Sequence, residues 1–275
     1  MPTDQNTLRI PETLRKVKNI IGIFSAKGGV GKSAISLNLA LALKDQGFKV
    51  GLVDADIYGP SQPSMLDSFP GELEVKNEKI IVPLVKEGIK FISMGLISSE
   101  KMPVIWRGPM VSGAVMQLLS QTDWGELDYL IVDTPPGTGD VQLTLLQRIP
   151  VTASIIVTTP QKVAVSDCRK GIEMMKKLKI PMLGLIENMS WFQPNDHDKK
   201  YFLFGKDGGI KLANEYSLSL LSQIPLVETE GVKIMNEVPS INSIFVKLAE
   251  TVVTKVKDLK KTRVEKIPQM NIKND

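Results

Sequence analysis

Apolar positions in this chain fall in short runs, and each run gives way to a stretch with helical spacing. Residues 19–25 (NIIGIFS) form the first run. A glycine-rich loop and a helical pattern over 32–46 follow, and Gly47 ends that helix. Residues 49–54 (KVGLVD) read as the next strand, with further strands at 129–133, 153–158, 182–187 and 218–224. Helices are predicted near 109–120, 141–147, 163–178 and 209–216. Buried strands that alternate with crossover helices imply an α/β fold in three layers, a mostly parallel central sheet flanked by helices. Between Pro60 and Met102 the pattern loosens. Segments 73–75, 79–82 and 89–94 alternate at period two around Asn77-Glu78 and Glu87-Gly88, which predicts a small β-hairpin excursion leading back into the sheet. A last helix near 241–259 puts Phe245, Leu248, Ala249, Val252, Val256 and Leu259 on one face, expected to pack on the sheet, with a membrane-surface helix as the alternative.

A length of 275 residues suits one large domain. Only 5% of residues are aromatic, so the core must be built from Ile, Leu, Val and Met. No apolar run approaches the roughly 20 residues of a membrane span, and the first residues, MPTDQNTLRIPETLRKVKN, lack the apolar centre of a secretory signal. No membrane insertion is expected. The single cysteine, Cys168, excludes an internal disulfide and fits a reducing, cytoplasmic setting. The net charge of +4 is concentrated at the end: from Lys255 onward seven basic residues face three acidic ones. A solvated helix end accounts for that excess, and no nucleic-acid contact is expected.

The glycine loop changes the picture from fold to chemistry. Lys27-Gly28-Gly29-Val30-Gly31-Lys32-Ser33-Ala34 joins a buried strand to a helix. Glycines admit backbone conformations that let successive N–H groups converge on phosphate oxygens, and the helix presents its positive end to the same anion. Lys32 is expected on the β- and γ-phosphates and the Ser33 hydroxyl on Mg²⁺, with ATP as the nucleotide. Two strands end in carboxylates beside this loop, one in Asp54-Ala55-Asp56 and the other in Asp133. Asp133 is the natural partner of the metal, directly or through water. Thr134-Pro135-Pro136-Gly137 after it forms a switch loop able to sense the γ-phosphate. A lead of 18 residues, a P-loop domain over 19–260 and a basic tail over 261–275 complete the expected organisation.

Ala26 stands where the general P-loop pattern has glycine, and Lys27 is an extra lysine. The loop thereby resembles the deviant Walker A loop of the family containing MinD, ParA, the nitrogenase iron protein and the arsenite-pump ATPase. That resemblance implies a homodimer in which Lys27 reaches the partner's ATP. It also implies that Asp56 orients or deprotonates the attacking water, with Asp54 as a structural residue or an outer partner of the magnesium. Three longer motifs narrow the likeness: DADIYGPSQP at 54–63, WRGPM at 106–110 and WGELDYLIVDTPPGTGD at 124–140. They resemble the Mrp or ApbC-type ATPases, which carry or help assemble iron–sulfur clusters, and the likeness runs from about Asn19 to Leu259. It implies slow ATP hydrolysis, apo iron–sulfur proteins as clients, Asn188 on the adenine edge, and Pro225 of Ile224-Pro225-Leu226 as a second adenine wall.

The chain also departs from that subfamily. Most cluster-carrying members place a Cys-x-x-Cys pair after the Asn-Met-Ser segment, so that two subunits could bridge a [4Fe–4S] cluster. Here residues 190–205 hold no cysteine. His197, between Asp196 and Asp198, is expected to be structural or exposed rather than a ligand, and Cys168 to pack as a small apolar residue. Many relatives carry a small extra domain ahead of the first strand, where this sequence has its short lead. The competing expectation is a MinD- or ParA-like positioning ATPase on a membrane or nucleoid.

Overall fold

The computed structural model describes residues 11–69, 73–77, 79–97, 108–194, 197–228 and 238–265. Among them the strands are β1 (Ile20–Phe24), β2 (Val50–Asp54), β3 (Glu74–Lys76), β4 (Ile80–Val82), β5 (Leu84–Lys86), β6 (Ile89–Ser93), β7 (Tyr129–Asp133), β8 (Ala153–Thr158), β9 (Met182–Phe192) and β10 (Leu220–Leu226). The helices are α1 (Lys32–Asp45), α2 (Gln62–Met65), α3 (Met94–Ile97), α4 (Gly108–Gln121), α5 (Asp140–Arg148), α6 (Lys162–Lys177), α7 (Gly208–Glu215) and α8 (Pro239–Glu265). Eight strands make one sheet in the order β10-β9-β8-β1-β7-β2-β6-β5. Every neighbouring pair is parallel except β5 with β6.

The central strands are apolar on both faces because both are covered. Ile21 and Ile23 of β1, Leu52 of β2 and Ile131 of β7 pack with α1 and α8. The intervening residues Ile20, Val53, Leu130 and Val132 pack with α4, α5 and the fully buried Trp124. Farther along the second face, Phe24 and Ile156 meet α6 and Leu212 of α7. This is the expected three-layer arrangement, and it explains why the strands read as continuous apolar runs rather than alternating ones.

Strand order fixes where chemistry can sit. The chain leaves β1 for β2 on one side, and β7 then fills the gap between them before the path crosses to β8 on the other side of β1. Such a reversal opens a crevice at the carboxyl ends of the strands. The glycine loop after β1 and the aspartates that close β2 and β7 meet there. In the β2–β7 register Asp54 is the direct partner of Asp133.

The excursion after β2 differs from the single hairpin expected. β3 and β4 form their own antiparallel pair, while β5 and β6 make a second hairpin whose longer arm joins the main sheet beside β2. Leu84–Lys86 is three residues long with Val85 exposed, so its apolar pattern was too short to register. β9 runs five residues past the expected end, through a left-handed Met189 (φ 54°), and α8 continues to Glu265. The predicted apolar face of α8 is buried: Phe245, Leu248, Ala249, Val252 and Val256 are all in the core. No helix of the described residues is long and apolar enough to cross a membrane.

Cys168 lies in α6 against Ile172 and Met175, 1% exposed. Burial pushes its thiol up to about 12, so the reactive thiolate is scarce at neutral pH. Native protein is therefore expected to resist a maleimide at pH 7 and to label rapidly only in denaturant. Prompt labelling of the folded chain would contradict this packing.

Candidate functional site

The loop between β1 and α1 turns through two left-handed glycines, Gly29 (φ 77°) and Gly31 (φ 81°). Gly31 is doubly constrained, since a Cβ there would also collide with the side-chain amide of Asn188. That amide donates from Nδ2 to the carbonyl of Val30 at 2.9 Å and so holds the loop against β9. Lys27, Gly28 and Gly29 are exposed, whereas Val30 and Lys32 are buried and Ser33 and Ala34 half-buried. The crest of the loop is open to an incoming molecule and its base is anchored.

Beneath the loop sits the carboxylate of Asp133, with no exposure at all. Lys32, the first residue of α1, forms an ion pair with Asp133 Oδ1. The Ser36 hydroxyl, one turn on, lies 3.0 Å from the Lys32 carbonyl and 3.2 Å from the same Asp133 oxygen, and its one proton serves either acceptor. Gln62 of α2 donates from Nε2 to Oδ2 of Asp133 at 3.1 Å and to the carbonyl of Ser33 at 2.9 Å. Ser33 and Asp133, the two expected holders of the metal, are thus brought together through one amide.

Asp54 is placed differently. Oδ2 accepts from the Ser93 hydroxyl at 2.9 Å and from the backbone N–H of Gln62 at 3.2 Å, and Oδ1 accepts from the N–H of Asp56 at 3.2 Å. Each oxygen already has a protein donor. Burial, and then the neighbouring charge of Asp133, push its carboxyl up to about 8. Asp56 lies just beyond, and one oxygen accepts from the N–H groups of Tyr58 and Gly59, both at 3.2 Å. Burial also raises the Asp56 carboxyl, against the pull of Lys32. A carboxylate raised in this way is a better proton acceptor than one in water.

The switch loop is fastened at its start. Thr134 donates from both N–H and Oγ1 to the carbonyl of Ile23, and Gln142 of α5 donates to Thr134 Oγ1 at 3.0 Å. Gly137 N–H reaches back to the carbonyl of Ser25 at 2.9 Å. Pro225 follows Ile224, the register partner of Asn188, and it lines a cavity of about 740 Å³ with Trp191, Gln193, Pro194 and the start of α8. Asn188 itself points at the loop rather than lining that cavity.

Gln62, Ser36, Ser93 and Gln142 were not identified from sequence. Gln62 lies inside the DADIYGPSQP motif, and Ser36 is one helical turn from Lys32, a spacing that places both on one face. Of WRGPM, Trp106 and Arg107 lie outside the described residues. Trp124 and Asp128 of the third motif hold the fold: Trp124 donates from Nε1 to the Leu119 carbonyl, and Asp128 accepts from Lys18 Nζ and Lys49 N–H.

Magnesium takes one or two carboxylates, completes its shell with waters and substrate phosphates, and needs no all-protein cage. Ser33 with Asp133 fits that donor set. The soft donors a cluster needs are scarce: the single cysteine, Cys168, is buried in α6, and no group of three or more His, Cys, Asp or Glu able to hold a metal occurs among the described residues. His197 is exposed, with Nδ1 accepting from the N–H of Lys199 at 3.2 Å.

Asp54 generates a pH test. Between the ordinary carboxylate value near 3.8 and about 8 the folded chain keeps a proton that the unfolded chain has lost. Stability of the nucleotide-free protein should therefore fall as pH rises through that window. Asp54→Asn removes that component. The thermal midpoint of the variant relative to wild type is expected to improve from pH 5 to pH 8, and an unchanged difference would count against a neutral Asp54.

Comparison with known proteins agrees with this geometry. The family model of the NUBPL iron-transfer P-loop NTPases, a ParA group, matches residues 16–261. An iron–sulfur cluster carrier protein of Pseudomonas fragi is 50% identical over 214 residues, 78% of this chain and 75% of that protein. One from Synechocystis is 48% identical over 226 residues, 81% of this chain, and there the matched stretch spans only 64% of the relative. Among solved structures, a nucleotide-binding protein of Archaeoglobus fulgidus in complex with ADP is 31% identical with a TM-score of 0.69, covering 87% of this chain and 90% of that one. The chain belongs to the NUBPL iron-transfer family of P-loop NTPases.

Proposed function

We propose that this chain is an ATP-binding, ATP-hydrolysing switch that works as a homodimer in the assembly or transfer of iron–sulfur clusters. The observation that carries the nucleotide half is the buried Lys32–Asp133 pair beneath an open glycine loop. Lys32 would turn from Asp133 to a bound triphosphate, and Asp133 with the Ser33 hydroxyl would then hold the accompanying magnesium. Bound there, the metal would supply neutralising charge to the phosphates. Asp56 orients the attacking water or takes its proton, and Asp54 acts as a neutral strut behind it. Exposed Lys27 is free to reach the phosphates of a second subunit, where its charge stabilises the transferring phosphoryl only in the closed dimer. Adenine would rest on the wall at Pro225, with Asn188 anchoring the adjoining phosphate loop.

The cargo half follows from family membership and the names of the relatives. A cluster is a substrate here, and its thiolates are supplied by a client or partner, because the one cysteine of this chain is buried and protonated. A reducing cytoplasm suits both that cysteine and such clients. A positioning role on a membrane has less support. The apolar face of α8 that would serve it is packed against the core.

Lys32→Ala is expected to lower nucleotide affinity by at least 100-fold in calorimetry. Lys27→Ala should keep ADP affinity within a few-fold while phosphate release falls tenfold or more; equal turnover would remove the role across the dimer. For the cargo, anaerobic reconstitution with iron and sulfide should leave little cluster on the isolated chain. With a cluster-loaded donor and an apo acceptor present, ATP should speed transfer. No effect of ATP on transfer would defeat the cargo assignment while leaving the ATPase intact.

A further inference from the structure

Gln62 ties together the three segments that the site needs. Its side chain has no exposure. Nε2 bridges the Ser33 carbonyl and Asp133 Oδ2, and the backbone N–H of the same residue holds Asp54. The first turn of α1 and the ends of β7 and β2 are therefore linked through one residue. Yet only half of the amide is used. Oε1 is buried and has no hydrogen-bond partner among the described residues.

An unmatched buried carbonyl oxygen is costly, and a methionine of nearly the same shape would avoid it. The nearby groups do not supply the missing donor. Asp133 accepts only, the one Ser36 hydroxyl proton is taken up between the Lys32 carbonyl at 3.0 Å and Asp133 Oδ1 at 3.2 Å, the Ser93 hydroxyl is directed at Asp54, and Lys32 is paired with Asp133. A water polarised by a divalent cation is a strong donor. The oxygen belongs to an amide whose nitrogen already touches both expected holders of that cation. Groups placed this way fix the ligands of a metal and take up hydrogen bonds from its water shell.

We propose that Gln62 is a positioning residue of the magnesium site: Nε2 fixes Asp133 against the first turn of α1, and Oε1 accepts a hydrogen bond from a metal-bound water. The residue sits at the end of the segment that begins with Asp54 and Asp56, so metal occupancy is felt directly by that segment. This rests on the reading that Ser33 and Asp133 hold magnesium with the nucleotide.

The test uses the full chain, ADP and Mg²⁺. In Gln62→Met, Mg²⁺ affinity at saturating ADP is expected to fall five- to twentyfold by calorimetry, while ADP affinity measured in EDTA stays within twofold of wild type. Gln62→Asn, which keeps an amide of shorter reach, provides a second variant should the methionine chain fold poorly, and its loss should be intermediate. Ser36→Ala removes a different contact to Asp133 and should lower Mg²⁺ affinity less than Gln62→Met. Unchanged Mg²⁺ affinity, or equal losses with and without metal, would overturn the inference alone; equal losses would mean general damage to the loop. An equal effect of Ser36→Ala would overturn the water contact at Oε1. If wild-type ADP binding shows no dependence on Mg²⁺, the magnesium site itself fails, and Gln62 with it.

Discussion

A carboxylate with no access to water must have a counter-charge, and Asp133 finds it in Lys32. Most of the site follows from that requirement. Removing one partner from such a pair costs several kcal/mol, because the other is stranded. Donors crowd in to complete the pairing: Ser36 and Gln62 both spend hydrogen bonds on Asp133. The sheet register sets Asp54 directly beside it, and burial, then the charge of Asp133, disfavours an ionised Asp54. One therefore rises toward neutrality, and it is the one without a lysine. Charge is thus concentrated on a single strand end, directly under the glycine loop.

The parts of this arrangement that follow contiguous chemistry were legible in the sequence. A glycine loop between a strand and a helix, and an aspartate closing a buried strand, are each written within a dozen residues. Lys32, Ser33, Asp54, Asp56 and Asp133 were placed from that pattern, and the strands beneath them from apolar runs. Gln62 and Ser93 were not, because nothing local distinguishes them. Each matters through a carboxylate that folding brings beside it, Asp133 at 71 positions from Gln62 and Asp54 at 39 from Ser93. Asn188 shows the intermediate case: resemblance marked the residue, but its bond to Val30, 158 residues distant, follows only from the pairing of β9 into the sheet. The second hairpin was missed for a simpler reason, since three residues at a sheet edge carry too little pattern to separate from a loop.

Nucleotide chemistry and cargo chemistry separate in this chain. After β9, Tyr201 comes back alongside Phe192 in an antiparallel bridge. Lysines cover aromatic rings there, with Lys200 Nζ 4.1 Å from the ring centre of Trp191 and Lys199 Nζ 5.2 Å from that of Tyr201. Ammonium groups over π faces stabilise a surface turn, but they offer nothing to iron. The residues expected to bind phosphate meet at the strand ends, whereas the one cysteine is buried in α6, so the two halves of the proposed function need separate experiments.

The burial of α1 has a mechanical corollary. From Ile35 to Leu43 every residue of that helix is enclosed, with the sheet on one side and α8 on the other. Gln46, at its end, is additionally stitched to the backbone of α8. A rod wedged between two layers cannot tilt without opening both, so the phosphate end of the machine behaves as an anvil. In the proposed cycle, displacement would fall to the lighter pieces that strike against it, the turns that follow the aspartates of β2 and β7.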